Sequence, residues 1–379
     1  MLRTNVITLE GKIEDIGPLH FLRAEWQQDK ISRFVLIRYA LDGQEQPLGL
    51  RLDLDKKALL DSVGDPELDK SVQATAATIW SIIANEPFPN FFEASLDPAA
   101  RFSQLGLLAD LTGTWVGAGF NVVSLPRKQQ NNPFFLQVSA TWELLQCTPI
   151  GGMIPMRGSR QNDIALHGLT YRQQVADAFT GQGLHFEPGL WLNVPSTTDP
   201  VQPATVVRQA ARIQHGGVLL AQGYASSAGG GPVIAAVDST PFTGEIPDLN
   251  AAPATPITDP EYLASYTNIP LPAEGLPHGL SAAQTIKNPA LVLQASLVGQ
   301  NITQTNLIVI STFPAGGIIN IPFAVRNANA TRLDAMYWIE RVRGSNGEES
   351  FQLQYVQRVI LDFIGIHWPH ISVGTLVKQ

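Results

Sequence analysis

The chain has 379 residues, of which 44% are hydrophobic and 15% are charged, and its formal net charge at pH 7 is −8. Its lysines and arginines are scattered without a basic run, which disfavours nucleic acid and anionic membrane as partners. The single cysteine, Cys147, excludes an intramolecular disulfide, and no stretch is apolar enough for a signal peptide or a transmembrane helix. We therefore expect a globular cytoplasmic protein with one large or two ordinary domains.

Residues 1–105 carry most of the densely charged stretches and are expected to form an α+β appendage. Segments 34–41 and 48–55 predict a pair of strands joined near Asp42-Gly43. Apolar side chains recur at helical spacing over 66–85, which predicts a helix. Residues 86–100 are expected to form a linker.

Residues 106–379 predict a second, mainly β domain of about ten strands. Short alternating segments are separated by turn residues, among them Thr180-Gly181, His215-Gly216-Gly217 and Asn346-Gly347. This pattern favours an antiparallel up-and-down β-barrel of the calycin type, with a sandwich as the alternative. A long insertion at about 227–285, rich in Gly, Pro and Ala, is expected to wrap the surface. Strands are then predicted to resume over 291–312 and 316–327.

The segment from Gly113 to Phe120 is the most specific local motif. A two-residue period places Trp115, Gly117 and Gly119 on one face of a strand. Two glycines on one face leave a shallow floor that lets another surface approach closely. The alternative, which geometry alone favours, is a barrel strand that bends sharply.

The last strand, residues 366–376, contains the best candidate for a ligand-binding histidine. Alternation places Trp368, His370, Ser372 and Gly374 on one face, where small residues leave room for a flat group. The alternative is that His370 is a hydrogen-bonded core histidine. Pro369 could introduce a bulge and change which residues share a face.

A third feature is the pair His185 and Glu187, which are two residues apart and share a strand face. They form either an acid–base or ligand pair, or a surface ion pair beside a turn. The sequence contains no Gly-x-Ser-x-Gly elbow, P-loop, His-Glu-x-x-His or Cys-x-x-Cys motif.

Three segments, in this order, resemble motifs of the nitrobindin family. They are the Gly-x-Trp-x-Gly-x-Gly run at Gly113–Gly119, the Glu-Pro-Gly-Leu-Trp run at Glu187–Trp191, and His370–Leu376 in the last strand. Nitrobindins are ten-stranded antiparallel barrels, related in shape to fatty-acid-binding proteins, that hold haem b in a largely apolar pocket. This chain is longer, and residues 1–105 have no counterpart in the family.

The resemblance implies haem b as the cofactor and His370 as the iron ligand, with His367 as the alternative. The residues implied to lie near the haem are Trp115, Gly117, Gly119, Trp368 and Ser372. An open axial site on the iron would bind small ligands such as nitric oxide or peroxide.

Peroxidase activity would need a distal base or a distal arginine. The candidates are His167, His185, Arg157 and Arg172. An apolar distal wall would instead indicate gas binding or haem storage. Two further hypotheses are a metal-free carrier of an apolar metabolite or fatty acid, and a cofactor-free structural protein. The low charge and the apolar insertion are compatible with a homodimer.

Overall fold

The computed structural model describes residues 3–7, 16–28, 33–47, 49–53, 58–74, 104–128 and 133–379. The chain divides into two compact units, Met1–Ser95 and Leu96–Gln379. The predicted linker at 86–100 and the second half of the predicted helix at 66–85 lie outside the described residues.

The first unit contains a six-stranded antiparallel sheet. Its strands are β1 (Arg3–Ile7), β2 (Leu19–Gln28), β3 (Arg33–Leu41), β4 (Gln44–Glu45), β5 (Leu50–Asp53) and β6 (Ala58–Leu59). The predicted strand pair is confirmed, because β3 and β5 pair antiparallel. The turn after β3 has positive φ at Asp42 and Gly43, as its sequence predicts. A helix is described over 66–74.

The second unit is predominantly β. Its strands are β7 (Gly113–Pro126), β8 (Phe134–Pro149), β9 (Ile154–Met156), β10 (Ile164–Asp177), β11 (Gly183–Val194), β12 (Thr197–Thr198), β13 (Val201–Gln202), β14 (Thr205–Arg212), β15 (Gly217–Gly229), β16 (Phe242–Thr243), β17 (Thr255–Pro256), β18 (Ile302–Ser311), β19 (Gly317–Asn320), β20 (Asn329–Arg343), β21 (Glu349–Phe363) and β22 (Ile366–Lys378).

Ten of these strands close into an antiparallel barrel. Each pairs with the next in the order β7, β8, β10, β11, β14, β15, β18, β20, β21, β22, and β22 returns to pair with β7. The predicted up-and-down barrel is therefore confirmed. Glycines at 181, 216 and 347 take positive φ in three of the predicted turns, a conformation that glycine adopts without steric cost.

Short helices accompany the barrel. They are α1 (Pro260–Asn268), α2 (Ala282–Lys287), α3 (Ala290–Ser296) and α4 (Pro322–Asn327), with one 3₁₀ helix, η1 (Gly106–Leu111). The strand predicted over 291–312 is wrong in its first part, which is α3, and the strand predicted over 316–327 ends early, before α4. A short apolar run has the same pattern in a buried helix and in a buried strand, so periodicity cannot separate the two. None of the helices within the described ranges is long and apolar enough to cross a membrane.

The predicted insertion is ordered and lies against the outside of β21 and β22. Phe242 of β16 pairs with His367 of β22, and Arg358 of β21 donates to the backbone carbonyl of Pro247. Just beyond the insertion, α3 covers the same face, since Gln354 of β21 donates to the Leu293 carbonyl. Because one face of β21 lines the barrel and the other meets the insertion, its residues are buried in an almost unbroken run.

The end of the barrel beside η1 is densely packed, and we call it the closed end. Leu108 and Leu111 of η1 belong to the same hydrophobic core as Trp115, Leu169 and Trp191. The Trp115 indole Nε1 donates to the Leu111 carbonyl at 2.8 Å. The opposite end holds a cavity.

Candidate functional site

A cavity of about 370 Å³ lies at the other end of the barrel, within the size range of small-molecule sites. Its walls are mostly apolar, and Ile321 and Phe323 beside α4 contribute to its lining. We call it the histidine cavity because three histidines face it. Its polar lining residues are Asn121, Gln137, Gln173, His185, Arg212, Gln214, His215, Asn327, Tyr355, Gln357, His370 and Ser372.

His370 projects from β22 into this cavity, and Ser372 lines the same wall, as the alternation along the strand predicts. The His370 Nδ1 atom is buried and has no hydrogen-bond partner among the described residues. Burial, together with the charge of Arg212, holds the pKa of His370 well below its usual value. The imidazole is therefore neutral with an unpaired ring nitrogen, which is the form that binds metals. The alternative of a hydrogen-bonded core histidine does not describe this site.

Two other histidines line the same space. The ring centre of His215, in the hairpin between β14 and β15, lies 5.1 Å from that of His370 and 6.1 Å from that of His185. Burial lowers the pKa of His185 and, more strongly, that of His215, where the charge of Arg212 acts in the same direction. Neutral imidazoles at these distances can accept or pass a proton.

Glu187 lies beside the cavity and is fully buried. Its Oε2 atom lies 3.2 Å from His185 Nε2 and 3.2 Å from Arg212 Nε, and its Oε1 accepts from Arg208. Burial alone would raise the pKa of Glu187, but Arg208, the His185 hydrogen bond and Arg212 hold it well below its usual value. The pairing of His185 with Glu187 is thus internal, and the alternative of a surface ion pair is wrong.

The two arginines differ in how well they are satisfied. Arg208 Nε donates to the Tyr171 hydroxyl at 2.8 Å, and Nη1 donates to Gln357 Oε1 at 2.7 Å and to the Tyr337 hydroxyl. By contrast, Arg212 Nη1 has no partner among the described residues. Arg212 Nε is close to Glu187 but lacks the alignment of a hydrogen bond.

A second buried carboxyl group, Glu143, lies deeper in the barrel. It accepts from Tyr355 at 2.6 Å and Thr141 at 3.0 Å, and Gln173 Nε2 lies 3.3 Å away. Burial raises the pKa of Glu143, because these hydrogen bonds only partly offset the lost hydration. Its hydrogen-bond partners are Tyr355, Thr141 and Gln173, and no ion pair joins Glu143 to Arg212 among the described residues.

The structure does not bring Trp115, Gly117 and Gly119 to the histidine cavity. Trp115 is fully buried at the closed end. A Cβ atom at Gly117 would collide with the backbone of β22, and one at Gly119 would collide with Glu143 and with the Val373 carbonyl. These glycines allow close strand packing, which is a structural role.

Trp368 shares the strand face of His370 but lies outside the cavity lining. Its ring is fully buried, 4.5 Å from that of Phe134 and 4.9 Å from that of Phe363. His367, the alternative ligand, has both ring nitrogens engaged. Its Nδ1 lies 2.5 Å from Asp362 Oδ1, and its Nε2 lies 3.0 Å from the Gly244 carbonyl. Neither nitrogen is free to bind a metal.

Of the four distal candidates, the structure places only His185 in the cavity. His167 lies opposite Asn193 toward the closed end. Arg157 is exposed and pairs with Asp163, and Arg172 is on the outer face of β10, 2.5 Å from Gln146 Oε1. Inward side chains of β10 have odd numbers, so Arg172 points outward.

Two cavity groups, Arg212 and His215, were not among the predicted site residues. The sequence contained a partial signal, since Arg208 and Arg212 fall on one face of a strand together with Ala210. His215 belonged to a predicted hairpin, and nothing in the sequence showed that this turn folds over the end of the barrel.

A metal ion and a haem place different demands on the protein's donor atoms. Within the described part of the chain, no group of three or more His, Cys, Asp or Glu side chains is placed to hold a metal ion. Haem iron needs only one protein ligand, since the porphyrin supplies the other four. The unpaired nitrogen of His370 and the mostly apolar walls fit that requirement.

Comparisons with known proteins do not assign the chain to a family. No family model matches it, and no curated protein matches it. Among solved structures, the crystal structure of Rv2717c from M. tuberculosis is similar over 75% of this chain and 99% of its own. The identity is 17% and the TM-score is 0.36, a likeness too distant to support an argument about function.

Proposed function

We propose that the histidine cavity binds haem b and that His370 is its iron ligand. One observation carries the proposal: a neutral imidazole with an unpaired, buried ring nitrogen faces a mostly apolar cavity. The resemblance of the strand around His370 to the nitrobindin motif supports it. Haem, when bound, would supply an axial site for nitric oxide, cyanide or peroxide.

The other cavity residues determine which acid–base and charged groups surround a bound small ligand. His215 can take up a proton on a ring nitrogen beside His370, and His185 can exchange one with Glu187 through its Nε2 atom. Arg212 supplies a fixed positive charge. A base and a cation are the two groups that peroxide cleavage requires, so these residues support peroxidase activity as well as ligand binding.

The test is the absorption spectrum of purified protein after titration with hemin. We expect a Soret band that shifts when cyanide is added. The variant His370→Ala should lose the band, and His367→Ala, a matched histidine on the same strand with both nitrogens engaged, should keep it. Thermal unfolding of both variants checks that they fold.

Wild-type protein that takes up no hemin, or a folded His370→Ala variant that keeps the band, would refute the proposal. Peroxidase activity is tested separately with hydrogen peroxide and a chromogenic electron donor. Free hemin at equal concentration is the reference. His215→Ala should lower the rate without removing the Soret band.

A second candidate function is carriage of an apolar metabolite without metal. The apolar majority of the cavity lining favours it. A colourless protein that binds no hemin but binds an apolar probe would favour this function over haem binding.

A further inference from the structure

Two positively charged side chains share a single carboxylate beside the histidine cavity. Glu187 lies between Arg208 and Arg212, and all three side chains are almost fully buried. Arginine stays protonated even when buried, whereas one carboxylate supplies one negative charge. This cluster therefore carries an excess positive charge inside the barrel.

The excess is localised on Arg212. Arg208 is fully engaged with Glu187, Tyr171, Tyr337 and Gln357. Arg212 is 4% exposed, lines the cavity, and has no hydrogen-bond partner for Nη1 within the described chain. A buried, charged donor without an acceptor costs free energy that an incoming acceptor would recover.

The remaining cavity surface indicates what kind of acceptor would fit. Apolar side chains that line the cavity include Val123, Leu125, Val175 and Leu361. A simple inorganic anion would leave this apolar surface unfilled. A hydrocarbon body attached to the anionic group would cover it and gain free energy from burial.

We propose that the cavity contains an acid-binding subsite, in which Arg212 receives the carboxylate of an organic monoanion whose apolar body lies against these side chains. A carboxylate matches the planar donor face of a guanidinium, which makes this pairing strong and directional. The inference deepens the second candidate function. It rests on the cavity that both candidate functions use and not on iron.

The experiment is isothermal titration calorimetry with octanoate and 1-octanol, two ligands with the same chain and different heads. Wild-type protein should bind octanoate about ten- to a hundred-fold more tightly than 1-octanol, the range expected for a buried charge-assisted pair. Affinity should rise from hexanoate through octanoate to decanoate as more apolar surface is buried.

Variants locate the subsite. Arg212→Met should reduce the preference for octanoate to within about three-fold, because the alcohol and the acid then meet the same wall. Arg212→Lys should retain much of the preference, and it serves as a second variant if Arg212→Met does not fold. The control Arg172→Met removes an exposed arginine from the same barrel and should leave the preference intact.

Three results would overturn the inference. Equal binding of octanoate and 1-octanol by wild-type protein would show that no acid subsite exists. A preference that survives in folded Arg212→Met would assign it to another group. Acetate or chloride binding as tightly as octanoate would show a counter-ion site only.

The outcome is separable from that of the haem proposal. Haem binding is read from the Soret band and depends on His370, whereas the acid subsite is read from calorimetry and depends on Arg212. For any preparation that retains a Soret band, the same titration is carried out on His370→Ala, which leaves Arg212 and Glu187 unchanged.

Discussion

The two ends of the barrel interior are built by the same strands but differ in what fills them: a packed aromatic core at one end and the histidine cavity at the other. At the closed end, the Trp115 indole donates to a backbone carbonyl, and Trp191 meets Tyr337 edge to face at 5.2 Å. At the cavity end, buried polar atoms of Asn121, Arg212 and His370 have no partner in the described chain.

This difference indicates that one end of the barrel stabilises the fold and the other end forms a cavity. β7 contributes Trp115 to one end and Asn121 to the other, and β11 contributes Trp191 and His185 in the same way. Side chains at the closed end give up hydration for packing, which stabilises the fold. Unpaired buried groups are rare in native proteins, and those of Asn121, Arg212 and His370 line one cavity, as is typical of a binding site.

The largest expected effect comes from breaking the closed end. Trp115→Ala should lower the free energy of unfolding by about 3–5 kcal/mol, because it leaves a cavity in a fully packed core and removes an indole hydrogen bond. Urea denaturation measures the loss. Trp142→Ala, at a tryptophan that is 58% exposed, is the control and should change stability by less than about 1 kcal/mol. Equal losses in both variants would mean that Trp115 is not a packing anchor.

A comparison of the two arginines sharpens the contrast within the polar cluster. Arg208→Met should cost about 3 kcal/mol, near the lower end for a broken buried pair, because Arg212 can still partner Glu187. Arg212→Met removes the unsatisfied cation and should cost little or stabilise the protein. Urea denaturation of both variants at one pH gives the comparison. A loss for Arg212→Met as large as that for Arg208→Met would contradict the assignment of the excess charge to Arg212.

The smallest expected effect concerns Glu340, a buried carboxyl group outside the cavity. It tests whether a poorly paired buried group there also lowers the free energy of unfolding. Burial raises the pKa of Glu340 to about 7, and its Oε1 has no partner while Oε2 accepts from Gln352 at 2.6 Å. The folded state thus holds a proton that the unfolded chain releases near its ordinary pKa. The stability contributed by that proton is complete below about pH 4 and is lost as the pH rises to about 7.

Glu340→Gln keeps the shape of the side chain and removes the titration. The variant should be more stable than wild-type protein by about 2 kcal/mol near pH 8, and the gain should shrink toward about pH 4. Chemical denaturation at both pH values measures it. A gain that does not vary with pH would attribute the effect to packing.

Much of the fold could be predicted from the sequence because it depends on local patterns. Alternation and glycine turns indicated the barrel, and alternation alone placed His370 and Ser372 on one wall. The nitrobindin resemblance implied that Trp115, Gly117 and Gly119 lie near His370, and alternation could not correct this because it does not give height along the barrel axis. Arg212 lines the cavity because of the pairing register of β14, and His215 does so because its hairpin lies at the end of the barrel. The spacing of residues along the sequence predicts neither the register nor the position of the hairpin.

The antiparallel seam between β7 and β22 joins the first and the last of the ten barrel strands, matching Trp115 with Lys378 and Val122 with Ile371. Nine of the ring's pairings can form between consecutive strands, but this one must wait until the last strand has been made. The same strand carries His370. The barrel therefore closes and gains His370 in one late step, so an incompletely synthesised barrel would have open strand edges and would also lack the proposed iron ligand.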